Sequence, residues 1–281
     1  MLGALPRARA RGGRPGRRRD RRRLRPGPLA GAPLAVKDCF DVAGEPTSCG
    51  IRGRGSMPRA SADAAVLAPL ASLPLVGKTA MHQLAWGMSG EARGYAANRN
   101  PVDPGRMPGG SSGGSATAVA AGIVPLALGT DSGGSVRQPA AWCGVVGLKP
   151  TLGTLPTAGC APMARSLDTV GVLARSVRDA AAALVLLTGA APAAAAAPRR
   201  IGVVEELFEG CDDGVAASCR AALARLEADG TGSCRSPFPG SAARSGRSTL
   251  TSWPRTGATA SRPSRTRSSP RCARGSRPGA R

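Results

Sequence analysis

The stretch Gly109–Ser135, GGSSGGSATAVAAGIVPLALGTDSGGS, decides how this chain is read. Two Gly-Ser clusters, GGSSGGSA at 109–116 and GTDSGGS at 129–135, bracket a run of small and apolar residues. Ser112–Ala121 suits a small-residue helix, and Ile123–Leu128 reads as a short buried strand. The first cluster is therefore embedded in a fold. Taken alone it is open to three readings: a phosphate cradle, a structural turn, or part of a catalytic site. A nucleotide phosphate loop needs GK[ST] after its glycines, and none follows. In the second cluster Ser135 stands where a glycine turn meets a helix start. Consecutive N–H groups from Ser132 to Ser135 form a candidate oxyanion cradle, because glycine lets backbone approach an anion unobstructed.

A serine nucleophile needs a base, and His82 is the sole histidine. Lys37, in the apolar run PLAVKD, is the alternative. An unperturbed lysine has a pKa of about 10.4, whereas a base working at neutral pH needs about 7–8. Burial shifts lysine in that direction, and Leu34, Ala35 and Val36 are consistent with burial.

Outward from this centre, strand and helix patterns alternate. Leu34–Cys39 reads as a strand, Ser61–Ser72 as a helix capped by Ser61, and Leu73–Val76 as a strand. Residues 87–110 read as loop. Ser135 opens a short helix, and Val145–Leu148 suggests a strand. Ser176–Leu187 forms a helix stopped at Gly189, and APAAAAAP at 191–198 a linker. Ile201–Val204 is a strand and Asp213–Ala228 a helix ended by Gly230. The expected fold class is α/β, a mixed β-sheet flanked by helices. After Gly230 the pattern is expected to stop.

Charge is concentrated at the ends. The net charge is +22, yet residues 1–33 hold eleven arginines against one acid, and 231–281 hold eleven arginines and no acid. These segments, 1–33 and 231–281, contain no lysine and few aromatics. They are expected to be disordered or translated from the wrong frame, leaving 34–230 as the organised domain. Basic arms also suit nucleic acid, which stays a third functional alternative. The eight cysteines show no CxxC spacing, so no metal and no cofactor are expected. The Arg-rich start lacks the apolar segment of a secretory signal, and no apolar run suits a membrane span. A cytoplasmic protein with free thiols is expected.

The segments GAPLAVKD, VGKTAMHQLAWG, NPVDPGRMPGGSSGGSATAVAAG, GTDSGGSVRQPAAWCGVVGLKPT and SLDTVGVLARSVRDA resemble the amidase signature family. The resemblance runs from about Pro28 to Gly230. It implies a Ser–Ser–Lys triad in which Ser135 is the nucleophile, Ser111 the bridging serine after a cis Gly110–Ser111 bond, and Lys37 the base. It further implies an oxyanion hole of Ser132, Gly133 and Gly134 N–H groups, and amide hydrolysis through an acyl-enzyme. Trp86 and Met88 are candidate pocket walls, and His82, Asp38 and Asp168 are read as structural. Asp131 and Arg137 are read as holding the nucleophile loop. Family members are longer, so a truncated amidase is expected. Its implied partner is a small-molecule amide, with a homodimer left open. The second alternative is the catalytic A-subunit of a tRNA-dependent Glu/Asp amidotransferase, which belongs to the same family.

Overall fold

A computed structural model describes residues 29–53, 56–90, 98–190 and 200–235. The linker expected at 191–198 and most of both Arg-rich ends lie outside these residues. The described residues fall in two compact units, residues 29–190 and residues 200–235.

The first unit is built on a five-stranded mixed sheet. In chain order it contains β1 (Leu34–Lys37), β2 (Leu75–Thr79), α1 (Gly113–Ala120), β3 (Leu126–Asp131), α2 (Arg137–Trp142), β4 (Val146–Leu148), β5 (Thr169–Ala174) and α3 (Val177–Thr188). The sheet order is β2-β1-β3-β5-β4. β1 runs parallel to β2 and β3, while β5 is antiparallel to β3 and β4. This is the mixed, helix-flanked sheet expected from the alternating pattern.

Strand alternation separates two cores, because successive side chains point to opposite faces. Leu34, Val36, Leu126, Leu128, Val170 and Val172 pack with α3 residues Ala180, Ala183 and Leu187. Ala35, Ala127 and Leu173 pack on the other face with Ala116 and Val119 of α1 and Ala140 of α2. The second face is made largely of small side chains, which lets α1 lie close to the sheet. Gly114 shows how close: its N–H donates to Ala80 C=O at 2.9 Å, and a Cβ there would stand 2.3 Å from that oxygen.

Several elements differ from expectation. The segment that reads as a helix over Ser61–Ser72 is a 3-10 turn, Ala65–Leu70, containing Pro69. Proline supplies no N–H and clashes with the preceding turn, so an α ladder does not form. β5 is an addition to the expected elements, buried along its whole length. Its run TVGVLA is apolar on both faces and shows no alternation to mark it. Other boundaries move by one to three residues, the scale on which helix and strand ends are set by tertiary pairing. Helix α3 begins as read, with Ser176 Oγ accepting from Asp179 N–H at 3.1 Å, and ends at Gly189 with φ +69°.

The second unit holds β6 (Arg200–Val203), α4 (Asp213–Ala228) and β7 (Gly232–Arg235). β6 and β7 are parallel, joined through α4 as a βαβ crossover. Regular structure thus continues past Gly230, where the sequence pattern is expected to stop; a four-residue strand carrying Ser, Cys and Arg offers little hydrophobic signal. No helix among the described residues is long and apolar enough to cross a membrane.

Candidate active site

Lys37 ends β1, and its side chain is fully buried. Its Nζ donates to Ser111 Oγ at 2.7 Å and to Thr130 Oγ1 at 2.8 Å, with Thr130 C=O at 3.4 Å. None of these partners is a carboxylate. Burial lowers the Lys37 pKa below its ordinary value, and the nearby acidic groups Cys39, Asp131, Cys49 and Asp168 oppose this only in part. The amine is therefore poised to lose its proton at a pH where a surface lysine would keep it.

A second lysine is equally buried but differs in every partner. Lys78 on β2 lies 2.8 Å from Asp38 Oδ1 and donates to Pro46 C=O at 2.9 Å and Thr47 Oγ1 at 3.0 Å. Ser48 Oγ donates to the other Asp38 oxygen. Register explains the separation: Val36 pairs with Lys78, and Lys37 pairs with Thr79. Thr79 Oγ1 hydrogen-bonds Ser115 Oγ of α1 at 2.7 Å, so the Lys37–Thr79 face is the one toward α1. Lys78 lies on the opposite face, in an ion pair with the Asp38 carboxylate.

Ser111 and Ser112 sit at the entrance to α1. The Gly110–Ser111 peptide bond is cis. Ser111 C=O accepts from His82 N–H at 3.0 Å, and Ser112 N–H donates to Ser135 C=O at 3.1 Å. That backbone bond joins the two Gly-Ser clusters. His82 thus acts through its backbone, while its Nδ1 is 3.2 Å from Ser89 Oγ. Ser135 is partly accessible.

Asp131 organises the second cluster. Its carboxylate accepts from Gly134 N–H at 2.7 Å, Val136 N–H at 3.1 Å and Arg137 N–H at 3.3 Å. The Arg137 guanidinium closes the loop with two bonds of 3.0 Å. Burial alone would raise the Asp131 pKa; the guanidinium and the Val136 and Gly134 N–H groups outweigh it and hold the carboxyl below its ordinary value. Asp131 and Arg137 hold the loop as read. Gly134 N–H, one of the groups read as the cradle, donates to Asp131 Oδ1. Among the described residues, the N–H groups of Ser132, Gly133 and Ser135 show no protein acceptor. The Ser132 side chain is itself anchored, donating to Asp168, which also accepts from Met163 and Ala164 N–H.

A cavity of about 270 Å³ is walled by Cys39, Met81, Leu84, Trp86 and Met163, among others. Trp86 is 76 % exposed at its mouth; Met88 is not among its lining residues. A smaller cavity of about 70 Å³ adjoins it, lined by Thr130, Thr157, Arg165 and Asp168. Sequence reasoning missed Thr130, although it stands inside the GTDSGGS cluster. It also missed Cys39, whose Sγ is 3.6 Å from Thr130 Oγ1.

A family model of amidases matches residues 6–241. The A-subunit of glutamyl-tRNA(Gln) amidotransferase from Symbiobacterium thermophilum is 43% identical over 220 residues, covering 72% of this chain and 45% of that protein. Indoleacetamide hydrolase of Pseudomonas syringae pv. syringae is 43% identical over 207 residues, covering 72% and 46%. Among solved structures, a crystal structure of an amidase matches with TM-score 0.70 and 41% identity, over 76% of this chain and 50% of that one. The crystal structure of the glutamyl-tRNA(Gln) amidotransferase A-subunit from Thermotoga maritima matches with TM-score 0.70 and 37% identity, over 76% and 52%. The chain spans about half the length of the curated relatives it matches. A family-model match over most of its residues, together with relatives above 40% identity and amidase structures of the same fold, assigns the chain to the amidase family.

Proposed function

We propose that this chain hydrolyses a carboxylic amide to an acid and an amine or ammonia, with Lys37 as base, Ser111 as bridge and Ser135 as nucleophile. The observation that carries the reading is the 2.7 Å bond from Lys37 Nζ to Ser111 Oγ, made by a buried lysine with no carboxylate partner. Neutral Lys37 draws a proton from Ser111 as Ser111 draws one from Ser135. Ser135 Oγ attacks the carbonyl carbon, and the oxyanion is held by the N–H groups of Ser132, Gly133 and Ser135. Collapse of the tetrahedral adduct breaks the C–N bond as Ser111 returns a proton to the leaving nitrogen. Water then cleaves the Ser135 ester by the same relay. Replacing Ser135 by Ala tests the assignment: covalent labelling by a fluorophosphonate and amide hydrolysis are both expected to vanish. Labelling that persists in Ser135→Ala overturns it.

A second reading, an amidotransferase A-subunit that draws ammonia from glutamine, gains support from an amidotransferase relative that is as identical to this chain, at 43%, as the indoleacetamide hydrolase is. Glutaminase activity that appears only with charged tRNA and a partner subunit would favour it over a stand-alone hydrolase.

A further inference from the structure

Lys37 Nζ has three hydrogen-bond partners among the described residues, and Thr130 supplies two of them, its Oγ1 at 2.8 Å and its C=O at 3.4 Å. The third is Ser111 Oγ at 2.7 Å. A lysine ammonium has three N–H donors and no acceptor, so it can donate to all of them at once. A neutral amine has two N–H groups and one lone pair, so one neighbour must instead donate to it. Thr130 C=O is not that neighbour, because a carbonyl only accepts. It is also held in place, since it accepts from Ser112 Oγ at 3.2 Å. Thr130 Oγ1 has another partner for its own proton. Cys39 Sγ stands 3.6 Å away, and burial raises the pKa of that thiol and keeps it neutral. With its O–H turned to this sulfur, a weak acceptor, Thr130 Oγ1 is left to accept from Lys37. One residue then takes both N–H groups of the neutral amine, and the lone pair faces Ser111.

We infer that Thr130 is a positioning residue for the proposed hydrolysis: its hydroxyl and carbonyl together aim the lone pair of neutral Lys37 at the Ser111 proton. The inference rests on the amide-hydrolase reading. The aim is fixed by the sheet, because Thr130 pairs with Val170 of β5, and Leu128, two residues earlier, pairs with Val36 of β1. The next residue is Asp131, whose carboxylate gathers the Ser135 loop. One strand end therefore sets both the base and the loop that carries the nucleophile. The role has a signature that general loosening of the site lacks. Thr130 Oγ1 bonds the ammonium more strongly than the amine, because a charged donor makes the stronger hydrogen bond. Removing it therefore lowers the Lys37 pKa further and also frees the lone pair to turn away. The other groups that act on the Lys37 charge stay in place: Cys39, Asp131, Cys49 and Asp168, each of which raises its pKa. Water entering a loosened site does the reverse and returns the pKa toward the ordinary 10.5.

The test uses the full chain with Thr130→Val, which keeps the branched shape and loses the oxygen, and Thr130→Ser, which keeps the oxygen. The first readout is the rate of Ser135 labelling by a fluorophosphonate across pH. Thr130→Val is expected to lower the plateau rate by about 10²-fold, the scale of a misplaced reacting group, and to move the acid limb to lower pH. Thr130→Ser is expected to restore both. The second readout needs no turnover. The lysines of the chain are Lys37, Lys78 and Lys149, so NMR with isotope-labelled lysine can follow Lys37, assigned by its loss in Lys37→Met. Its titration is expected to move to lower pH in Thr130→Val and to return in Thr130→Ser. If far-UV circular dichroism shows that Thr130→Val does not fold, Thr130→Ala carries the same expectations. An unchanged plateau, a Lys37 titration that stays or moves to higher pH, or no recovery in Thr130→Ser overturns the inference. Labelling that persists in Ser135→Ala counts against the hydrolase reading instead. The Lys37 titration then decides alone: a shift to lower pH in Thr130→Val supports the hold of Thr130 on the lysine, and no shift overturns it.

Discussion

Lys37 Nζ lies 2.7 Å from Ser111 Oγ, and both side chains are fully buried. A buried ammonium without a carboxylate is costly, whereas a neutral amine in the same place is an acceptor for a serine proton. Burial thus favours the neutral form of this lysine over its usual charged one.

Replacing Lys37 by Met is expected to lower amide hydrolysis by about 10²–10⁴-fold, the range of general base catalysis. The same substitution is expected to leave the fold intact and to raise its melting temperature at acidic pH. The sign follows from the depressed folded-state pKa: between that value and the ordinary 10.5 the unfolded chain binds more protons, so lysine-bearing chains lose stability as pH falls through this window. Thermal unfolding of both proteins across pH checks it; a lower melting temperature for Lys37→Met at acidic pH would contradict it.

The rate should carry the same signature. Hydrolysis is expected to rise with pH along an acid limb whose apparent pKa lies below 10.5, because only neutral Lys37 accepts a proton. Profiles of kcat/KM against pH check this. An acid limb at the ordinary lysine value would mean that burial does not tune the base.

Lys78 should matter for folding. Lys78→Met leaves Asp38 buried without its 2.8 Å cation, and such a loss costs about 3–5 kcal/mol. Urea unfolding should show a markedly lower midpoint. Pairing it with Asp38→Asn should recover part of the loss, since the uncompensated charge is then gone.

Asp131→Asn removes the charge that gathers Gly134, Val136 and Arg137 around the loop. Far-UV circular dichroism should stay near that of the unsubstituted chain. Activity should fall by about 10²-fold, comparable to the loss of an oxyanion donor. Unchanged kcat would show that the loop keeps its shape without the carboxylate.

Gly114→Ala places a Cβ 2.3 Å from Ala80 C=O, a backbone atom that cannot swing aside. A destabilisation of about 1–3 kcal/mol is expected, with lost activity, because α1 must move away from the sheet and carry Ser111 with it. Denaturant midpoints and turnover measured together check the pairing of the two effects.

The alternating elements of the first unit are legible because periodicity and caps are local: Ser176 and Gly189 bracket α3 as their chemistry requires. β5 is not legible, since a strand buried on both faces lacks alternation. The 3-10 turn at Ala65–Leu70 mimics a helix because its apolar spacing is helical, while Pro69 breaks the ladder. Of the two residues read as candidate pocket walls, Trp86 lines the cavity of about 270 Å³ and Met88 does not. Cys39 and Thr130 carry no local signal, because their importance lies in what they touch.

The amino-acid sequence by itself determined the types and order of the reactive groups, Lys37 before the Ser111 cluster before the Ser135 cluster, and the glycines that let these loops approach one another. It also determined family membership, through motifs confined to short contiguous segments. Only the tertiary structure decided which of two buried lysines meets Ser111. It also showed that Thr130 shares Lys37 and that Asp131 occupies the Gly134 N–H. The physical reason is strand register: Lys37 pairs with Thr79 and Lys78 with Val36, so one-residue alternation sends the two amines to opposite faces of the sheet. Contacts between residues 74 and 93 positions apart depend on that pairing, and no local pattern specifies it.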